Sequence, residues 1–298
     1  MKKGILLISI FLTITCCEKS DTNPLLDNEL ITDNFRLVKI LTYGSTSDSE
    51  PSTFVDVEYD SDGNLIKESL YDYPNTLFTY REFDYENNLL KEKRIYDGQV
   101  GNLQLGTYRI YEYENSKLTK EELFLSNGTS KYTKHYEYDG DNLINTFKLN
   151  DELGVYHQYK YKYNEDNLVT LEESFMYDQQ RDSYTKYHYD EKLRLIKTEI
   201  FNYDETIIQT QVHKYVGNST LSNEELIYDS EGELSQQREL LYDEFGNQTE
   251  IIIVDERGSH SLFRKTYNGN LLIEHIRYAP SWGYTEWTVT RYEYEEIN

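Results

Sequence analysis

Tyr159, Tyr161 and Tyr163 alternate with Lys160 and Lys162, and Tyr111 and Tyr113 alternate with Ile110 and Glu112. Successive side chains of a strand point to opposite faces, so a period of two predicts strands rather than helices. Polar turns follow these runs: VEYDSDGNL covers residues 57–65, YEYDGDNL residues 136–143 and YKYNEDNL residues 161–168. Gly63, Gly140, Gly246 and Gly269 fall where a tight turn needs positive φ, and the neighbouring Asn and Asp residues tolerate that region. No stretch carries helical periodicity with caps.

One tyrosine per unit serves as a ruler. Tyr59, Tyr85, Tyr113, Tyr138, Tyr163, Tyr189, Tyr215, Tyr242, Tyr267 and Tyr294 are separated by 26, 28, 25, 25, 26, 26, 27, 25 and 27 residues, which makes the chain a tandem array. Half a unit further on, Tyr71-Asp72, Tyr96-Asp97, Tyr177-Asp178, Tyr203-Asp204 and Tyr228-Asp229 mark a second turn, so each repeat supplies two strands. From Phe54 to Tyr294, at ~13 residues per strand and turn, this predicts roughly 18 antiparallel strands. Open twisted sheets rarely exceed ~10 strands without curling or splitting. The expectation is an all-β fold in which a long antiparallel meander rolls or spirals. A small β-propeller is the alternative, two repeats making a four-stranded blade. The turn spacing shows no regular doubling and favours the continuous sheet.

The recurring Y-x-Y-D-x-x-G-x-L pattern resembles the YD repeats of the Rhs family, carried here by residues 57–65, by IYDSEGEL at residues 227–234 and by LYDEFGN at residues 241–247. The resemblance implies strands wound into a β shell. The core segment and toxin domain of full-length Rhs proteins do not show in this sequence, so the repeat architecture alone carries over. The glycine-dense pattern of MORN repeats is absent.

Composition and charge sharpen the picture. Hydrophobic residues make up 38% of the 298, and 30 tyrosines, 11 phenylalanines and 2 tryptophans supply much of that share. Such enrichment suits strands. The formal charge is −24, and a chain this acidic, with no Lys/Arg cluster in its sequence, is repelled by phosphate backbones; nucleic acid is not an expected partner.

At the N-terminus Lys2 and Lys3 precede an apolar run from Gly4 to Thr15, which is too short to span a bilayer and has the layout of an export signal. The only two cysteines follow it. Ile14, Thr15 and Cys16 before Cys17 resemble a lipobox, the motif at which bacterial lipoproteins are cleaved and lipidated; Cys16 is the alternative lipidation site. The CEKSD stretch is similar to the acidic segments behind the lipidated cysteine of surface-exposed lipoproteins in the Bacteroidetes group. The predicted organisation is a signal peptide at residues 1–16, a polar tether at 17–34 and one repeat domain at 35–298, exported and anchored in the outer membrane through lipid. With no further cysteine, the fold has no disulfide framework.

Sites of chemistry are few. Asp60, Asp62 and Asn64 have the look of a calcium loop but lack its closing glutamate, and read as turn chemistry. The six histidines contain no short-spaced pair, so neither a metal nor another cofactor is expected. No nucleophile elbow and no Gly-rich phosphate loop appear. Regularly placed tyrosines are expected to stack on their equivalents in adjacent repeats, each pair contributing ~0.2–1 kcal/mol. Tyr278, Trp282, Tyr284 and Trp287 break the rhythm near the C-terminus and are the candidate aromatic binding residues, or else a plug over the last edge. The function expected is a non-enzymatic surface scaffold that binds glycan or protein. Two alternatives stand: a carboxylate-based hydrolase of envelope polysaccharide, and a partner or immunity protein for an exported toxin.

Overall fold

A computed structural model describes residues 31–32, 35–150, 154–177, 180–255, 258–279 and 285–297; Cys16, Cys17, Trp282 and Tyr284 lie outside the described residues. The short β1 (Ile31–Thr32) falls within the stretch expected to be tether. The first wall is β2 (Phe35–Tyr43), β3 (Thr53–Tyr59), β4 (Leu65–Asp72), β5 (Thr76–Glu86), β6 (Leu89–Gln99), β7 (Asn102–Glu114) and β8 (Lys117–Leu125). It continues through β9 (Ser130–Asp139), β10 (Asn142–Asn150), β11 (Gly154–Tyr163), β12 (Val169–Met176), β13 (Gln180–Tyr189), β14 (Leu195–Asn202) and β15 (Ile207–Lys214). The chain finishes with β16 (Glu224–Tyr228), β17 (Leu234–Tyr242), β18 (Gln248–Asp255), β19 (Gly258–Asn268), β20 (Leu271–Ala279) and β21 (Thr285–Glu296).

Each strand from β2 to β21 pairs antiparallel with the next, and β21 pairs with β2 from Phe35↔Glu296 to Tyr43↔Val289. The meander therefore closes into a barrel of twenty strands, with β1 bridged to β2. The rolled, continuous sheet is the form adopted. The propeller is excluded because all 21 strands of the described residues belong to one sheet. The count exceeds the expected 18 because β2 precedes Phe54 and several turns are shorter than assumed. The last edge has no need of a plug: β21 finds its partner in β2.

Five-residue loops explain the recurring D-x-x-G signature. In the loop from Asp60 to Asn64, the Asp60 N–H donates to the Asn64 carbonyl at 2.9 Å and the Gly63 N–H donates to the Asp60 carbonyl at 3.2 Å. The Asp60 carboxylate accepts the N–H groups of Asp62 and Asn64 at 2.9 and 2.8 Å, so it serves its own loop. Asn164, Asp190, Asp229 and Asp243 open loops of the same design. The fourth position is left-handed in each: φ is 85° at Gly63 and 62° at Leu193.

The ruler tyrosines do not stack on one another. They sit on every second strand, or in the case of Tyr215 just past its end, ~9.6 Å apart at two strand spacings, too far for ring contact. Five of their hydroxyls instead reach the neighbouring strand just past the previous repeat's turn: Tyr138 to the Leu118 carbonyl (3.0 Å), Tyr163 to Leu143 (2.7 Å), Tyr189 to Val169 (2.8 Å), Tyr215 to Leu195 (2.8 Å) and Tyr294 to Leu272 (2.9 Å). Each of these five hydroxyls thus clasps the preceding hairpin, whereas the buried Tyr59 hydroxyl has no such partner. Ring stacking occurs within repeats, on the other face of the sheet, between directly paired residues: Phe54–Tyr71, Tyr80–Tyr96, Tyr108–Phe124 and Tyr184–Phe201, with centroids 4.3–4.8 Å apart.

Candidate functional site: the lumenal wall

The face that carries the ruler tyrosines is the enclosed one. Arg109 and Glu121, which share it, are 12% and 17% exposed, whereas Glu58 and Glu112 on the opposite face are each 57% exposed. Burial also pushes the Tyr59 hydroxyl up to about 12, and raises those of Tyr111, Tyr136, Tyr161 and Tyr187. This face is therefore the concave one and lines the lumen. Twenty strands ~4.8 Å apart give a girth of roughly 95 Å. The wall is not filled like a core. Among the described residues only Leu37 and Val289 are less than 2% exposed, and the apolar cluster of Leu37, Ile40, Leu272 and Tyr292 is confined to the seam where β2, β20 and β21 meet.

Away from the seam the lumen is lined with charge. Glu68 on β4 is buried and bonded by Arg81 on β5 at 3.1 Å; burial nevertheless raises its carboxyl. Glu121 on β8 pairs with Arg109 on β7 at 3.2 Å and accepts the Tyr136 hydroxyl at 3.1 Å. Glu172 on β12 is 9% exposed and likewise raised by burial. Burial acts on Glu225 of β16 too, but His213 at 3.5 Å and Arg238 at 3.6 Å hold it below the usual carboxylate range. These four glutamates lie 53, 51 and 53 residues apart, on every fourth strand. That spacing is twice the tyrosine period, and it stands out only once the register shows which of the 54 acidic residues face the lumen. Four strand spacings are ~19 Å. A glycosidase needs its two carboxyl groups within roughly 5–9.5 Å of one another, so successive members of this ring do not form such a pair.

The outer wall is charged as well, in cross-strand pairs around the ring. Arg94 meets Asp84 at 2.6 Å and Glu82 at 3.4 Å; Lys120 meets Glu112 at 2.9 Å and Glu122 at 3.1 Å. Lys214–Glu224, Arg264–Glu250 and Arg291–Glu274 follow at 2.9, 2.9 and 3.0 Å. A barrel wall facing lipid carries an apolar band, and a Lys or Arg at its midplane costs about 2–4 kcal/mol. Arg94, Arg264 and Arg291 stand in mid-strand and break any such band.

Of the candidate aromatics, Tyr278 lies on β20 with the Arg264 guanidinium 5.9 Å from its ring centre, and Trp287 on β21 is 54% exposed. Both belong to the outer wall of one hairpin, away from the lumenal charges. Among the described residues no three His, Cys, Asp or Glu side chains converge in a way that could hold a metal ion.

No family model matches the sequence, and no curated protein matches it. Among solved structures, the chain is similar to part of the Photorhabdus luminescens Tc holotoxin pore, at 14% identity and a TM-score of 0.44, over 76% of this chain and 13% of that one. It is also similar to a porin-like protein from Bacteroides uniformis, at 13% identity and a TM-score of 0.37, over 87% of this chain and 98% of that one. A porin-like protein from Bacteroides vulgatus gives 14% identity and a TM-score of 0.31, over 88% and 99% of the two chains.

Proposed function

We propose that this chain is a non-enzymatic lipoprotein of the bacterial outer membrane, held by lipid on Cys17 or Cys16, whose barrel stands in water and serves as a scaffold for binding extracellular glycan or protein. The observation that carries the reading is the outer wall. Its ion pairs at mid-strand, Arg94 with Asp84 and Arg264 with Glu250, suit an aqueous surface and oppose insertion of the strands into lipid. Attachment to the membrane then falls to the N-terminus. The lumenal glutamates, tied down by Arg81, Arg109, His213 and Arg238 or set four strands apart, support a binding role over hydrolysis.

Fractionation separates the two ways of meeting a membrane. Expressed with its signal, the protein is expected in the membrane fraction and to incorporate labelled palmitate. The variant carrying Cys16→Ser and Cys17→Ser is expected to lose the label and to appear in the soluble fraction with its strand content intact. If that variant stays in the membrane until detergent is added, the barrel itself is embedded and the proposal is wrong. Glycan and surface-protein panels then address the ligand.

A further inference from the structure

One arc of the lumen runs against the charge of the whole molecule. From β4 to β10 the lumenal face presents Arg81, Lys93, Arg109, Lys134 and Lys148, against Glu68 and Glu121, already engaged by Arg81 and Arg109, and Asp97 near the exposed end of β6. Positive charge is left over even so, five cations against three acids, in a chain of net charge −24. The register makes the excess costly: Lys93 lies directly opposite Arg109, and Lys134 directly opposite Lys148. Like charges facing one another across paired strands destabilise a sheet. Burial holds the Lys93 and Lys134 ammonium groups below the ordinary lysine range; at Lys93 Arg81 and Arg109 add to this against Glu68 and Glu121, and at Lys134 Glu121 opposes it while Lys148 adds to it.

Ring faces position the three lysines, and Lys134 also stands opposite Glu121, which Arg109 already engages. Their ammonium groups rest over ring faces, Lys93 over Phe83 at 5.4 Å, Lys134 over Tyr136 at 4.7 Å and Lys148 over Tyr132 at 5.0 Å. Aromatic faces attract a cation while leaving its charge available. All three lysines keep partial exposure, so solvent reaches them. Arg81, Lys93 and Arg109 lie on three successive strands and, past Glu121 on β8, Lys134 and Lys148 lie on two more at the ~4.8 Å strand spacing; interleaved with tyrosine rings that have polar edges, these cations match a polyanion built of flat-faced rings.

We propose that this arc binds an acidic polysaccharide, its carboxylate or sulfate groups meeting Lys93, Lys134 and Lys148 and its sugar faces meeting the neighbouring tyrosines. The inference rests on the scaffold reading above and names its ligand class. The ligand relieves the opposed like charges, so binding and stability are coupled through the same side chains.

The purified protein is titrated calorimetrically with an oligogalacturonate, with a neutral glucan of equal length and with poly-glutamate of equal charge. Saturable binding of the oligogalacturonate, weakening with added salt, is expected, with at least roughly tenfold weaker binding of the other two. The variant Lys93→Gln, Lys134→Gln, Lys148→Gln is expected to bind at least about tenfold more weakly and, without ligand, to melt at a higher temperature, because the opposed charges are gone. The single variant Lys148→Gln should show a smaller change in the same two directions. A lower melting temperature in either variant, unchanged oligogalacturonate affinity, or equal binding of poly-glutamate overturns the assignment. Binding of neutral glycan or protein alone also overturns it yet leaves the scaffold standing; an anchorless variant that remains in the membrane sinks the scaffold whichever way the titration falls.

Discussion

His275 gives the sharpest pH test of the lumenal wall. It is 8% exposed on β20, its edge meets the Phe263 ring at 5.4 Å, and its Nε2 has no hydrogen-bond partner in the protein. Burial, with Arg277 and Lys265 nearby, depresses its pKa from 6.5 to about 4. Above pH 6.5 the imidazole is neutral in the folded and unfolded chains alike and contributes no pH dependence. As the pH falls through 6.5 the unfolded chain takes up a proton that the folded chain refuses, so stability is lost progressively until about pH 4, where both forms are protonated. At 1.36 kcal/mol per pH unit the loss amounts to about 3 kcal/mol. Urea denaturation of the natural protein and of His275→Gln at pH 7.5 and pH 4.5 isolates this group, since every other titration is common to both. The variant is expected to gain about 2–3 kcal/mol relative to the natural protein between those pH values. A difference that does not change with pH, or one that changes the other way, refutes the buried, neutral histidine.

Two further outcomes test the repeat itself. Leu193 holds φ at 62°, a conformation costing an L-residue ~1–2 kcal/mol, so Leu193→Gly is expected to raise stability by up to about 1 kcal/mol after the extra freedom of glycine in the unfolded chain is deducted. The denaturation midpoint checks it. Tyr163→Phe deletes the hydroxyl that donates to the Leu143 carbonyl at 2.7 Å and is expected to cost about 1 kcal/mol, with faster amide exchange in the hairpin of β9 and β10.

The architecture was legible because two signals repeat in phase. Alternating tyrosines give the strands, and the D-x-x-G turns give their spacing, so a continuous rolled meander follows from residues 57–65 and their copies. Closure was not legible: nothing local in Phe35–Tyr43 announces Tyr294 as a neighbour, since that pairing depends on the summed twist and stagger of twenty strands. The role of the ruler tyrosines was misread for a related reason. Equivalence in sequence suggested contact in space, but equivalents lie two strands apart, and the rings that touch, such as Phe54 and Tyr71, are not equivalents. The lumenal charges escaped notice because acidic and basic residues occupy nearly every strand. Only the register separates Lys93, which faces the lumen, from Arg94, which faces water.

The seam has a consequence for how the ring can form. Hairpins zip between near neighbours, whereas Ile40 must find Tyr292 across 252 residues, an encounter whose chain-entropy cost is about 5 kcal/mol. That the tightest apolar packing, at Leu37, Ile40, Leu272 and Tyr292, gathers at this one junction fits the demand, because four such side chains return more than that when removed from water. A chain caught before the junction forms is an open ribbon with two unpaired edges, each able to recruit another molecule. Dilution and the integrity of the final strand should therefore govern the yield of monomeric rings over stacked assemblies.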